Sequence, residues 1–429
     1  MRGKRGTSGV WMDDWLMYAD AWDHKGPVLL GMAALGQLLP VPGGMGATAV
    51  FAVAACLAIW LFWRIAGSYL VTLGFAALLI GNQAGLGLVS QEVLAMPFVL
   101  LGITTVLSGN VRSIWRGVVF GACVAAILFV KANLVGFAFA GFAVCCERVG
   151  VGWRDVFGWM ASAISGFVFF VIVVCGVFAW HGLLYEMVDA TFLFGMFEYC
   201  KREQSLWSWW FTTLTNWKCA SGGWVLVHFA VMLVVAMAVG RKCPRWLWIW
   251  LVADFVMTFS FKTYQNHYLI VLYPELCLMV AMGTEGLEKK VGKLFVVGTV
   301  LLFSFYSVYG ILLMSKRQPE INASADRIRG SVVVAWGDLL TSEVLWRSGV
   351  ECPQRYFNAH MDYVLGDDRR KATIRDELAT ALYRGDATLL IMEKNVLDSF
   401  LNVPEFGLAI RGSACERFGE MLVFPLKCR

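Results

Sequence analysis

Asp13-Asp14-Trp15-Leu16-Met17-Tyr18-Ala19-Asp20-Ala21-Trp22-Asp23-His24-Lys25-Gly26-Pro27 sets four carboxylates, a histidine and a lysine directly before an apolar run, 28–41. Proline suits the first turn of a helix, where its missing N–H would be unsatisfied anyway. Gly26-Pro27 therefore breaks the chain and starts a helix. That order predicts Lys25 at the helix start, near a membrane surface. An ammonium there can pair with a phosphate, and the carboxylates can take a proton from a hydroxyl. The plainer reading is an interfacial loop whose lysine snorkels toward the headgroups. The apolar run ends at Pro40-Val41-Pro42-Gly43-Gly44, which predicts a juxtamembrane or re-entrant helix rather than a full span.

Outward from this stretch the chain is a membrane protein. Of 429 residues, 59% belong to the set AVILMFWYC and only 16% are charged, and the mean hydropathy is +0.64. Soluble domains run nearer 45–50% apolar and about 25% charged. A span needs about 20 apolar residues, with a lower limit near 17. Ten segments read as spans, several at the short end: 45–62, 66–81, 93–108, 115–131, 133–146, 156–180, 222–240, 245–261, 268–286 and 293–313.

Lysine and arginine in short loops set the orientation. One set of alternate loops holds Arg64, Arg112, Arg116, Arg148 and Arg154, then Arg241, Lys242, Arg245, Lys289, Lys290 and Lys293. The other holds Lys131, Lys201, Arg202, Lys218 and Lys262. The first set is expected in the cytoplasm. Loops 82–92, 181–221 and 262–267, and the tail, are then outside. Basic Met1-Arg2-Gly3-Lys4-Arg5 fits this only if 28–41 crosses, or if a first span upstream is absent from the chain. The net charge of +5 is small and spread out, which argues against a nucleic-acid surface.

The tail, 316–429, reads as a compact α/β domain. Ser331–Trp336, Thr388–Met392 and Met421–Phe424 are short apolar strands. Asp367 is placed to cap a helix through about Arg384, with Ile374, Leu378 and Leu382 on one face. No GxGxxG or GxxxxGK[ST] occurs, so nucleotide binding has no motif. The twelve cysteines are scattered with no CxxC pair, which argues against a zinc site. Cys352, Cys415 and Cys428 leave room for one disulfide if the tail is outside.

Single polar residues in the apolar part carry two readings each. Lys131 either snorkels at a span end or lines a site. Asp254, about ten residues into a span, is costly in lipid and is expected to pair inside the bundle. Glu92 at a span start either contacts an acceptor or a cation, or simply suits a helix N-terminus. Trp246, Trp248 and Trp250 beside Arg245 read as a cytoplasmic aromatic belt. In loop 181–221, Trp207, Trp209, Trp210 and Trp217 read as an interfacial helix, either an anchor or a wall for lipid or sugar.

Tyr-Ala-Asp-Ala-Trp-Asp-His-Lys-Gly-Pro resembles the first-loop signature of the GT-C-fold integral membrane glycosyltransferases. These include the protein O-mannosyltransferase and aminoarabinose-transferase relatives, whose loop reads like D-x-K-P-P or D-H-K-G-P before an apolar helix. Gly81-Asn82 with Gln91-Glu92 and Pro97 resembles the group's second outer loop. Asn266-His267-Tyr268 with Pro274 resembles its late H-Y-x-x-x-x-x-P pattern. Val332–Gly337 and Arg355-Tyr356-Phe357 resemble the start of its outer domain. The resemblance covers about residues 12–365.

The resemblance implies a polytopic α-helical membrane protein of about ten spans, GT-C-like over 1–315, with a C-terminal extracytoplasmic α/β domain at 316–429. It implies a glycosyltransferase of the cytoplasmic membrane. A hexose or pentose would pass from a polyprenyl-phosphate donor to a cell-envelope glycan, lipid or protein on the outer face. Carried over, Asp13, Asp14 and Asp20 are the candidate catalytic bases. Lys25, His24 and His267 are the donor-phosphate contacts, and Asp23, Glu92 and Tyr268 the further substrate contacts. No cofactor beyond the lipid-linked donor is expected, and no metal. Members of the group carry a span and an acidic residue upstream of the motif, so this chain is expected to lack the first span. A transporter or lipid flippase, and a truncated inactive relative, are the alternatives.

Overall fold

The structure, a computed structural model, describes residues 26–39, 45–81, 91–108, 113–131, 134–147, 152–198, 230–238, 243–260, 271–283, 297–298, 301, 319–337, 344, 348, 368–383, 387–403, 410 and 414–426. The helical part opens with α1 (Pro27–Gln37), α2 (Met45–Ala66), α3 (Tyr69–Gly81) and α4 (Gln91–Leu107). It continues with α5 (Ile114–Leu128), α6 (Phe137–Glu147), α7 (Trp153–Trp180) and α8 (Leu184–Val188), which runs into a π-helix at Asp189–Glu198. Three more helices follow, α9 (230–238), α10 (Arg245–Ser260) and α11 (Tyr273–Gly283).

Two of these are long and apolar enough to cross a bilayer by themselves: the stretch Thr48–Ala66 of α2, and α7. At 1.5 Å per residue the 28 residues of α7 reach about 42 Å, well beyond a hydrocarbon core of about 30 Å. Phe157, Ile164, Phe169, Ile172 and Val177 stand exposed along it, as lipid-facing side chains do. The 11 residues of α1 and of α6 reach only about 16 Å each, roughly half the core. Described helix accompanies nine of the ten expected spans, over shorter lengths than expected for several. The tenth, 293–313, lies almost wholly outside the described residues.

Helix α7 is held against α5 by missing side chains. A Cβ on Gly121 would stand 1.8 Å from the Ala163 carbonyl oxygen, and one on Gly166 would stand 2.0 Å from that of Val118. Gly117 meets Ser162 and the Trp159 carbonyl in the same way. Gly117-xxx-Gly121 thus faces Ser162-xxx-Gly166. In lipid, where apolar contact alone drives little association, small residues let backbones approach and dispersion hold them.

The tail builds a sheet of order β1-β2-β4-β3 from β1 (Val333–Trp336), β2 (Leu389–Glu393), β3 (Glu416–Phe418) and β4 (Met421–Pro425). Strands β1 and β2 run parallel, with Val334 opposite Leu390; β4 is antiparallel to both of its neighbours. Helix α12 (319–328) precedes β1, α13 (Asp368–Tyr383) lies between β1 and β2, and α14 (Leu397–Leu401) follows β2. Alternation divides the strands between two cores. Val333, Ala335, Leu389, Ile391 and Val423 pack with Ile321 and Ile328 of α12. Val334, Trp336, Leu390, Met392 and Phe424 pack with Ile374 and Leu378 of α13. Burial on both faces is why these strands read as unbroken apolar runs.

The second of those cores does not stop at the tail. Phe129 after α5, Met187 of α8, and Ala190 and Phe194 of the π-helix belong to it, and Val28 and Leu30 of α1 pack against it.

Candidate functional site

Three helix ends meet in the bundle: the start of α1, the start of α4 and the end of α5. Gly26, extended at φ −68° and ψ 152°, caps α1, and Pro27 takes the first helical position. The glycine is there for space. A Cβ on it would lie 1.9 Å from the Phe129 carbonyl oxygen and 2.6 Å from its carbon. The Val28 N–H donates to that same oxygen at 3.3 Å. The close of the Asp-His-Lys-Gly-Pro motif is therefore seated on the turn that ends α5.

That turn delivers Lys131. The Lys131 N–H closes the helix on Ile127 O at 2.7 Å, and its ammonium pairs with the carboxylate of Glu92 in the first turn of α4. Glu92 is 2% exposed and Lys131 13%. Each neutralises a charge that would otherwise be costly inside the bundle. Lys131 thus turns inward to Glu92 rather than snorkelling at the span end. Glu92 sits beneath this lysine, deeper than a helix-start acid needs to be.

Phe129 is wedged among rings. Phe170 of α7 stands 6.5 Å away and Phe192 of the π-helix meets it edge-on at 5.7 Å. A π-helix widens the turn and often marks a functional segment. Here it begins at Asp189, which accepts from the Arg370 guanidinium of α13 at 2.9 Å.

A second polar group lies elsewhere in the bundle. Asp254 of α10 is 2% exposed and accepts from the Trp250 indole N–H at 2.7 Å. It thus pairs inside the bundle as expected. Trp250 and Trp246 are buried, so two of the three tryptophans read as an aromatic belt are core residues, one of them a donor to this acid. Glu275, in the first turn of α11, is fully buried, and its two carboxylate oxygens have no hydrogen-bond partner among the described residues.

The remaining sequence candidates, Asp13, Asp14, Asp20, Asp23, His24, Lys25, His267 and Tyr268, lie outside the described residues, as do Trp207, Trp209, Trp210 and Trp217 of loop 181–221. Of the tail cysteines considered for a disulfide, Cys415 is a free thiol and the other two lie outside the described residues. Glu275 escaped sequence reading although it directly follows Pro274, which carried part of the resemblance. An acid in the middle of the apolar run 268–286 was the available signal.

No protein-family model matches the chain, and no curated protein does. Solved structures do. ArnT from Cupriavidus metallidurans in the apo state superposes with a TM-score of 0.63 at 13% identity, covering 97% of this chain and 90% of that one. The same protein bound to undecaprenyl phosphate gives 0.60 at 13% identity, covering 95% and 88%. The likeness spans bundle and tail together. At 13% identity the likeness shows that the chain has the ArnT fold, in keeping with the fold the motif resemblance implied.

Proposed function

We propose that this protein is an integral membrane glycosyltransferase. It moves a monosaccharide from a polyprenyl-phosphate donor to a hydroxyl of a cell-envelope acceptor on the outer face of the cytoplasmic membrane. The observation that carries the reading is the seating of Gly26 on Phe129, within an ArnT-like fold. Gly26, the residue that follows Lys25, is thereby seated on Phe129, which lies two positions before Lys131 in the chain. A lysine supplied by the motif and a second one held by Glu92 suit a lipid phosphate. The ArnT likeness supports the enzyme over the transporter reading.

In this reading an acceptor oxygen attacks the anomeric carbon, and the bond from that carbon to the phosphate oxygen breaks. Attack from the opposite face inverts the centre, and the polyprenyl phosphate leaves. The acceptor proton passes to a first-loop carboxylate, with Asp13, Asp14 and Asp20 the candidates. Lys25, His24 and His267 stabilise the charge that collects on the leaving phosphate. Asp23 and Tyr268 orient the sugar or acceptor. Glu92 serves by keeping the Lys131 ammonium in place, since a carboxylate this buried is poorly placed to meet a soluble acceptor. The donor itself brings the activated bond, so no cofactor or metal is called for.

The experiment is direct. The full chain in proteoliposomes is given radiolabelled undecaprenyl-phosphate sugars, one at a time, with an envelope extract as acceptor. Transfer of label above that of empty liposomes supports the reading. Absence of transfer across hexose and pentose donors overturns it.

A further inference from the structure

Among the described residues of the tail, Arg370 is the most deeply placed cation, 6% exposed, and it reaches out of its own helix to the π-helix. Its guanidinium donates to Asp189 at 2.9 Å and lies over the Phe194 ring at 4.8 Å. Both partners are on the π-helix, one at its start and one a turn further on. Phe192, between them, is the ring that meets Phe129. Phe129 in turn carries the carbonyl on which Val28 and Gly26 are seated, and Lys131 follows two residues later. The contacts are continuous from the tail to the motif, and they fall within one apolar cluster that includes Val28 and Leu30 at its edge.

A π-helix is rare, appears mostly as a single turn inside an α-helix, and is frequent at functional sites. An external clamp at its first turn has something to hold. A guanidinium this buried is costly unless paired, so the clamp is not a casual surface contact.

We propose that Arg370 is a positioning residue for sugar transfer. Through Asp189 and Phe194 it fixes the π-helix so that Phe192 braces Phe129, and Phe129 then sets where the Lys25 loop and Lys131 stand toward the donor phosphate. The proposal rests on the glycosyltransferase reading for its catalytic consequence, and on the contacts alone for its structural one. Through Arg370 the tail is thus a working part of the site.

Two measurements on the full-length protein in proteoliposomes test it. The first is transfer kinetics with labelled undecaprenyl-phosphate sugar for Arg370→Gln, Asp189→Asn, the double variant and the control Arg327→Gln, a tail ion-pair residue remote from the π-helix. A misplacement of about 1 Å costs on the order of 100-fold in rate. The expected result is a fall in kcat of about 10- to 100-fold in each single variant at the π-helix. The double variant should be no worse than the poorer single one, and Arg327→Gln should stay within about twofold of the parent. Independent, multiplying losses, an unchanged kcat in Arg370→Gln, or an equal loss in Arg327→Gln would overturn it. The second is hydrogen exchange of the segment 26–31, which contains the Val28 N–H. Arg370→Gln should speed exchange there and Arg327→Gln should not. Unchanged exchange sinks the coupling even if the protein transfers no sugar, whereas absent transfer with altered exchange condemns only the glycosyltransferase reading.

Discussion

Lys131, at the turn that ends α5, closes on Glu92 in the first turn of α4, and Glu92 is almost entirely buried beneath it. The two residues are 39 positions apart. Their pairing ties the ends of two helices to the turn on which Gly26 is seated. Removing one partner of a buried pair strands the other, at a cost of about 3–5 kcal/mol, while removing both costs far less. Lys131→Met and Glu92→Gln should each lower the melting temperature sharply, and the double variant should recover much of the loss. Additive losses in a double-mutant cycle, read by thermal melting in detergent, would contradict the pairing.

Gly26 has an ordinary φ, so alanine is conformationally permitted there and only space forbids it. Gly26→Ala should push the motif off Phe129 and cost at least tenfold in transfer rate, while the bundle stays folded. Gly31, with no atom within 4 Å of a Cβ position, is the control. Gly31→Ala should behave like the parent, and equal losses in the two variants would remove the steric argument.

The α5–α7 contact offers a test of stability alone. Gly121→Leu places a side chain where the Ala163 carbonyl stands, so the helices must part. Overpacking of this kind costs about 1–3 kcal/mol or more. Gly176, on the partner helix α7 but in open space, should accept leucine without loss. Thermal melting of the two variants side by side checks it.

Arg327 and Glu416 in the tail form a forked pair, with Nε donating at 2.6 Å and Nη2 at 2.5 Å. The Arg327 hydrogen bonds hold the Glu416 carboxyl below the ordinary range, with a smaller opposing effect of burial. The folded protein therefore binds this proton less readily than the unfolded chain. The pair's contribution is fully present above the ordinary carboxylate pKa, about 4.3, and is lost as pH falls through the lower folded value. Both side chains are over a third exposed, so the effect is a few tenths of a kcal/mol. The melting difference between parent and Glu416→Gln should be present at pH 7 and vanish in strong acid. A difference that grows on acidification would reverse the sign.

Trp250 donates its indole N–H to Asp254 inside the bundle. Asp254→Ala leaves that donor buried and unmatched, which costs about 1–3 kcal/mol, whereas Asp254→Asn keeps an acceptor oxygen and should cost less. Equal melting temperatures for the two would show that the bond carries no weight.

Much of this was legible in the residues. Val333–Trp336, Leu389–Glu393 and Met421–Pro425 were readable because strands buried on both faces are apolar throughout. Ile374, Leu378 and Leu382 were readable from helical spacing, and all three are buried. Edge strand β3 was not, since Glu416-Arg417-Phe418 is short, charged and only partly buried. Helix α12 hid behind Glu320, Asn322, Asp326 and Arg327. The π-helix has no pattern of its own in sequence. Glu92 and Lys131 were each singled out, but their pairing depends on how two helices meet, which no local spacing encodes. Asp189 and Arg370, 181 positions apart, are the extreme case.

The central claim is that the Lys25 loop holds a lipid phosphate. Full-length parent and Lys25→Ala proteins, reconstituted side by side and matched for melting temperature, are given the radiolabelled undecaprenyl-phosphate sugar that the parent uses best. The label should move to acceptor with the parent, and its transfer should fall by at least about 100-fold with Lys25→Ala. Equal transfer by the two proteins would contradict the claim.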